Sequence, residues 1–97
     1  VSTKDADHPG WDFQVAPNPF QNEPKARYSL DKPEAIVFSL ADLSGKVIRI
    51  YQSGRQSAGT HELPSNAIDF RTLPAGVYFL TGTGATKVVT RKLVKMD

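Results

Sequence analysis

The chain has 97 residues and a mass of 10.6 kDa, a length for one domain with one modest core. Hydrophobic residues make up 39% and charged residues 23%, which excludes an intrinsically disordered composition. The net charge of +2 is too small to imply a nucleic-acid partner without a clustered basic patch. There are no cysteines, so disulfide scaffolds, Cys zinc sites and thiol chemistry are excluded. That absence does not place the chain inside a cell. The longest apolar runs are far too short to span a membrane. No signal peptide opens the sequence, and a start at Val1 suggests a piece of a longer protein.

The N-terminal stretch differs from the rest. Lys4 against Asp5, Asp7 and Asp12 makes residues 1–14 acidic, and His8-Pro9-Gly10 breaks any regular element. Residues 1–14 are assigned to a linker or N-terminal extension, with 1–10 as the linker or frayed end, and residues 15–97 to the folded domain.

From there the punctuation is regular. Breakers fall at Pro17-Asn18-Pro19, Asp31-Lys32-Pro33, Ser44-Gly45, Ser53-Gly54, Pro64-Ser65-Asn66, Pro74-Ala75-Gly76 and Gly82-Thr83-Gly84. A spacing of roughly ten residues suits an all-β sandwich or barrel. Strands are expected at Phe13 to Ala16, Lys25 to Leu30, Ile36 to Ala41, Val47 to Tyr51, Thr60 to Leu63, Val77 to Leu80 and Thr86 to Val94. A short extended piece at Ala67 to Phe70 is a possible eighth. The expected fold is an immunoglobulin-like β-sandwich of about seven short, mainly antiparallel strands, with a small Greek-key barrel as the alternative. Alternation puts Tyr28, Ile36, Phe38, Leu40, Ile48, Ile50, Leu63, Val77 and Phe79 in the core, with Leu73 nearby.

Two turns follow from their chemistry. In Asp42-Leu43-Ser44-Gly45-Lys46 the Asp42 side chain bonds backbone two residues on, and Gly45 takes a positive φ. In Leu73-Pro74-Ala75-Gly76, Pro74 is preset for a type I turn, and Tyr78 follows at the start of a strand. That places Tyr78 either as a tyrosine corner, bonded to upstream backbone, or as an ordinary packed aromatic. The Thr86 to Val94 segment has no cleanly apolar face, which suits an edge strand or a bulge.

Little in the sequence carries catalysis. His8 and His61 have no partner at metal-ligand spacing, and Asp5-x-Asp7 lacks the glycine and closing glutamate of a calcium loop. Gly82-Thr83-Gly84 reads as a hairpin turn, because no helix follows to present amides to phosphate. No catalytic residue, metal or cofactor is expected. Trp11, Tyr51 and Phe20 offer a sugar-stacking platform, set against Trp11 capping one end of the core. Lys87, Arg91, Lys92 and Lys95 form a basic end without the interleaved aromatics of single-strand binders, so no nucleic-acid partner is expected.

A set of segments in fixed order carries more. These are Val15-Ala16-Pro17-Asn18-Pro19-Phe20, Tyr28-Ser29-Leu30, Leu40-Ala41-Asp42-Leu43-Ser44-Gly45-Lys46-Val47, Gly59-Thr60-His61, Leu73-Pro74-Ala75-Gly76-Val77-Tyr78 and the basic end Arg91-Lys92-Leu93-Val94. Together they resemble the C-terminal sorting domain of the type IX (Por) secretion system, type A, over residues 15–97. The resemblance implies a β-sandwich at the end of a larger exported protein of Bacteroidetes-type bacteria. It implies partners: the outer-membrane translocon that reads the domain after export to the periplasm, and a sortase-like peptidase that removes it and can join the passenger to anionic lipopolysaccharide. The passenger lies upstream, and its destination is the cell surface or the medium. Motif residues implied in recognition are Pro17, Asn18, Pro19, Phe20, Asp42, Gly45, Lys46, Gly76, Tyr78, Arg91, Lys92, Leu93 and Val94. A monomer is expected. The competing reading is a non-catalytic fibronectin-like spacer or carbohydrate-binding module of an extracellular enzyme.

Overall fold

A computed structural model describes residues 11–64, 66–85 and 87–96. The expectations for Asp5, Asp7 and His8 lie outside the described residues. Seven strands run in order: β1 (Trp11–Ala16), β2 (Lys25–Leu30), β3 (Glu34–Asp42), β4 (Val47–Gln56), β5 (Gly59–Glu62), β6 (Gly76–Thr83) and β7 (Val88–Lys95). They form a three-stranded sheet, β1-β2-β5, and a four-stranded sheet, β4-β3-β6-β7. Every ladder is antiparallel, and no helix occurs among the described residues. The expected all-β sandwich is the observed fold.

Alternation builds the core. Ala26, Tyr28 and Leu30 of β2 and Ile36, Phe38 and Leu40 of β3 are buried, while their neighbours Lys25, Arg27, Ser29, Ala35 and Val37 are exposed. Phe38 sits at the centre. Phe13 meets it edge-on at 5.5 Å, Trp11 at 6.2 Å, and Tyr28 tilts against it at 5.3 Å. Such edge-to-face pairs contribute about 0.5–1.5 kcal/mol each beyond the area they bury.

The core starts earlier than the sequence indicates. Trp11 and Phe13 are fully buried in β1, so the strand expected from Phe13 begins at Trp11 and the linker boundary set at residue 14 falls inside the sheet. Their acidic neighbour Asp12 masked an alternating strand pattern. Trp11 needs room on the facing sheet, and Gly82 provides it: a Cβ on Gly82 would run into the Trp11 ring. Gly82 therefore belongs to β6, and the hairpin to β7 turns later, with Gly84 N donating to Lys87 O.

Four core assignments change. Ile50 is 62% exposed and Ile48 only half-buried. The β3–β4 register shifts between Leu40 and Ala41, which pair with Arg49 and Val47 and leave Ile48 in a bulge. Beyond it Arg49 and Tyr51 share the side of Leu40 and Phe38, and Ile50 turns outward. In β6, Tyr78 and Leu80 are buried, whereas Val77 and Phe79 are half-buried. Both faces of that strand are apolar, so alternation left the choice open; the Leu40↔Leu80 pairing decides it. Ser53-Gly54 does not end a strand: β4 continues to Gln56 through a second irregularity between Ala35 and Val37 of its partner. Ala67 to Phe70 is turn rather than strand, yet Ile68 and Phe70 are buried and close one end of the sandwich.

Candidate functional site

Four of the six motif segments meet at one end of the four-stranded sheet, whereas Tyr28-Ser29-Leu30 and Gly59-Thr60-His61 pair with each other in the three-stranded sheet. Asp42 pairs with Tyr78, and Tyr78 pairs with Leu93, so the end of β3, the start of β6 and the end of β7 lie in one row. Gly76 pairs with Lys95 in the same ladder. The Asp42–Lys46 turn opens from this row. Its carboxylate Oδ1 accepts from Ser44 N at 2.9 Å, Ser44 Oγ at 2.6 Å and Lys46 N at 3.1 Å. The Ser44 hydroxyl chiefly, with the two amides, holds the Asp42 carboxyl below its ordinary range against a smaller opposing effect of burial. Gly45 closes the turn at φ 93°, a conformation costly for any residue with a Cβ.

Tyr78 forms the corner. Its hydroxyl donates to Pro74 O at 2.6 Å, so the tight Leu73–Gly76 turn is tied to the strand it precedes.

The terminal strand is engaged from several sides. Pro17 to Phe20, after β1, passes along its outer edge. Asn18 Nδ2 donates to Lys92 O at 2.7 Å, and Asn18 Oδ1 accepts from Val94 N at 3.0 Å. Phe20 N donates to Val94 O at 2.9 Å, and Met96 N to Phe20 O at 2.8 Å, forming a parallel bridge between Phe20 and Lys95. The Ala16-Pro17 and Asn18-Pro19 peptide bonds are cis. The Phe20 ring is buried and meets Phe70 edge-on at 5.5 Å.

The inner face of β7 carries Val89, Arg91, Leu93 and Lys95, with Leu93 fully buried. Lys95 is only 8% exposed. Its ammonium donates to the carbonyls of Phe70 at 2.7 Å, Arg71 at 3.0 Å and Leu73 at 2.6 Å, which uses all three of its protons. Arg91 reaches the other sheet: Nε donates to Phe13 O at 3.0 Å, one terminal nitrogen meets Asp12 Oδ1 at 2.8 Å, and the guanidinium lies over the Phe13 ring. Lys92 points outward and is exposed. The four cations of the basic end therefore do not form one exposed surface. Arg91 ties one sheet to the other and Lys95 is buried, which the sequence alone does not indicate because a cation ordinarily signals solvent. An alternating Arg-x-Leu-x-Lys run opposite an apolar strand was the available signal.

The sugar-stacking platform is not assembled: Trp11 and Phe20 are each 1% exposed. Trp11 caps the core, and its indole N–H donates to Lys87 O at 3.2 Å. His61 stacks on Tyr28 at 5.4 Å and shares a hydrogen bond with Ser57 O. A cleft of about 270 Å³ between Lys25, Glu62, Leu63, Ile68 and Phe70 falls below the usual range of small-molecule sites. Among the described residues no group of three or more His, Asp or Glu is placed to hold a metal ion. No helix among them is long and apolar enough to cross a membrane.

Fold and corner together define an all-β sandwich that holds its last strand by contacts from widely separated segments. A family described as the secretion system C-terminal sorting domain matches residues 14–96. The chain belongs to that family and is a sorting-signal domain for protein export to the cell surface or beyond. Comparison with curated proteins gave no match. Among solved structures, the chain is similar to one titled the crystal structure of the C-terminal domain of wzt, with a TM-score of 0.52, 14% identity, and coverage of 93% of this chain and 75% of that one. At that identity the likeness concerns the fold alone.

Proposed function

We propose that the domain is the address that the type IX outer-membrane translocon reads after its passenger has crossed to the periplasm, and that a sortase-like peptidase then removes it. The passenger is a larger protein joined upstream. The observation that carries this reading is that four of the motif segments, far apart in sequence, meet at one corner. Asn18 and Phe20 clasp Lys92 to Met96, Lys95 anchors the turn ahead of Gly76 and Tyr78, and the Asp42–Lys46 turn opens from the same row. Buried members of the set (Phe20, Tyr78 and Leu93) give the corner its shape. Pro17, Asn18, Pro19, Lys46 and Lys92 give it an exposed surface. A signal built this way is read as a folded object rather than as a linear tail.

A reporter fused ahead of residues 1–97 tests the reading in cells that possess the secretion system. The whole chain is used because β1 begins at Trp11. The reporter is expected outside these cells and in the periplasm of cells lacking the system. Retention in both would remove the sorting assignment for this chain and favour a spacer.

A further inference from the structure

The sandwich has four sheet edges, and three are irregular, short or interrupted by side chains. β4 carries two register irregularities. β5 has only four residues. The outward amide of Phe13 in β1 is taken by the Asp12 carboxylate at 2.8 Å, and its carbonyl by Arg91. Bulges, short strands and side-chain cover are the ordinary protections of an edge. Among the described residues, the fourth edge, β7, is covered over its C-terminal half alone. Lys92 O and the Val94 amide and carbonyl point away from β6 and meet Asn18 and Phe20. Strand geometry repeats every two residues, so Val88 N and O, Thr90 N and O, and Lys92 N point the same way. These five groups have no partner among the described residues. No proline or bulge interrupts the stretch, and Val88 is 61% exposed.

We propose that the edge from Val88 to Lys92 is a strand-docking site that receives an extended segment of the secretion machinery; this rests on the reading that the domain is a sorting signal. The chemistry of the site fixes the partner's form. Alternating donors and acceptors at peptide spacing match an extended backbone. The fold already uses this edge in that way, because Phe20 and the Asn18 amide occupy its other half. A docked segment extends the four-stranded sheet and meets the clasp end to end. Its side chains beside Val88 and Thr90 are uncharged and β-branched, continuing the rows formed with Thr83 and Thr81. Beside Lys92, the exposed cation of this stretch, the partner presents a carboxylate.

Hydrogen exchange on the full 97-residue chain tests the site. The probe is outer-membrane vesicles from secretion-competent cells, with vesicles from cells lacking the system as control. The amides of Val88, Thr90 and Lys92 are expected to slow at least tenfold with competent vesicles alone, whereas those of Val89 and Arg91, already in the β6 ladder, change little. Co-sedimentation without slowing at those three amides would overturn the docking site and leave the sorting reading standing. Slowing with chain concentration alone would assign the edge to a second copy and also overturn it. In the reporter assay, Thr90→Pro removes one outward donor without touching the β6 ladder and should cut export at least tenfold. Thr90→Val loses the same hydroxyl contact with Thr81 but keeps the amide, and should export normally. Normal export by a folded Thr90→Pro would refute the site. Failure of the unmodified fusion to leave the cell would remove the sorting reading and the site with it.

Discussion

The side-chain amide of Asn18 stands in for a peptide unit of a neighbouring strand: its Nδ2 donates to Lys92 O at 2.7 Å while its Oδ1 accepts from Val94 N at 3.0 Å. One side chain thus satisfies two outward groups of the β7 edge, next to the backbone bridge that Phe20 makes. Asn18→Ala is expected to lower stability by about 0.5–1.5 kcal/mol, because exposed groups recover water in part. Val94 amide exchange should accelerate more than exchange in β2. Asn18→Asp keeps the acceptor but sets a carboxylate against Lys92 O, so it should cost at least as much. Equal exchange rates at Val94 in all three proteins would show that the contact carries no weight.

The cations of β7 should divide into two classes. Lys95→Met strands the carbonyls of Phe70, Arg71 and Leu73, two of them in buried bonds. A loss of roughly 2–3 kcal/mol is expected. Arg91→Glu breaks the tie to Asp12 and Phe13 and should also destabilise. Lys92→Glu should stay within about 0.5 kcal/mol, as an exposed substitution without a partner. Urea midpoints decide between this and a uniform basic surface, for which all three would behave alike.

That division was hidden from the sequence for a physical reason. Composition and alternation reveal which segments are strands, and they placed Tyr28, Ile36, Phe38 and Leu40 correctly. They do not reveal bulges, which turned Ile50 out, or which apolar face of β6 meets β3. The Asp42 turn and the Tyr78 corner were legible because Asp, Pro and Gly act locally. The Asn18 and Lys95 bonds join residues 76 and 22 positions apart, and no local pattern encodes such a partner.

Gly82→Ala should be disproportionately harmful for one added methyl. The new Cβ would overlap the Trp11 ring, which is fully buried and cannot move without opening the core. A loss of about 1–3 kcal/mol is expected for such overpacking. Trp11 fluorescence should shift to the red as the ring gains water. A wild-type spectrum and melting point would mean that the ring has room.

Acid should weaken the Asp42 turn. The folded carboxyl is held below its ordinary value of 3.8, mainly by the Ser44 hydroxyl. A lowered folded pKa gives stability that is present above the unfolded value and lost as pH falls through the folded one. Below pH 3.8, then, wild type should lose stability that Asp42→Asn never had. Parallel acid limbs for the two proteins would exclude a contribution from this turn.

The clasp also has a meaning in time. Phe20 and Asn18 emerge from the ribosome before the strand they grip, which is made more than seventy residues later. Until then their hydrogen-bonding groups face water, and joining ends so far apart in the chain is slow. Any product broken off before Lys92 lacks the strand that these residues bind. Completeness of synthesis is thereby written into the shape of the domain, because the corner closes only once β7 has been made.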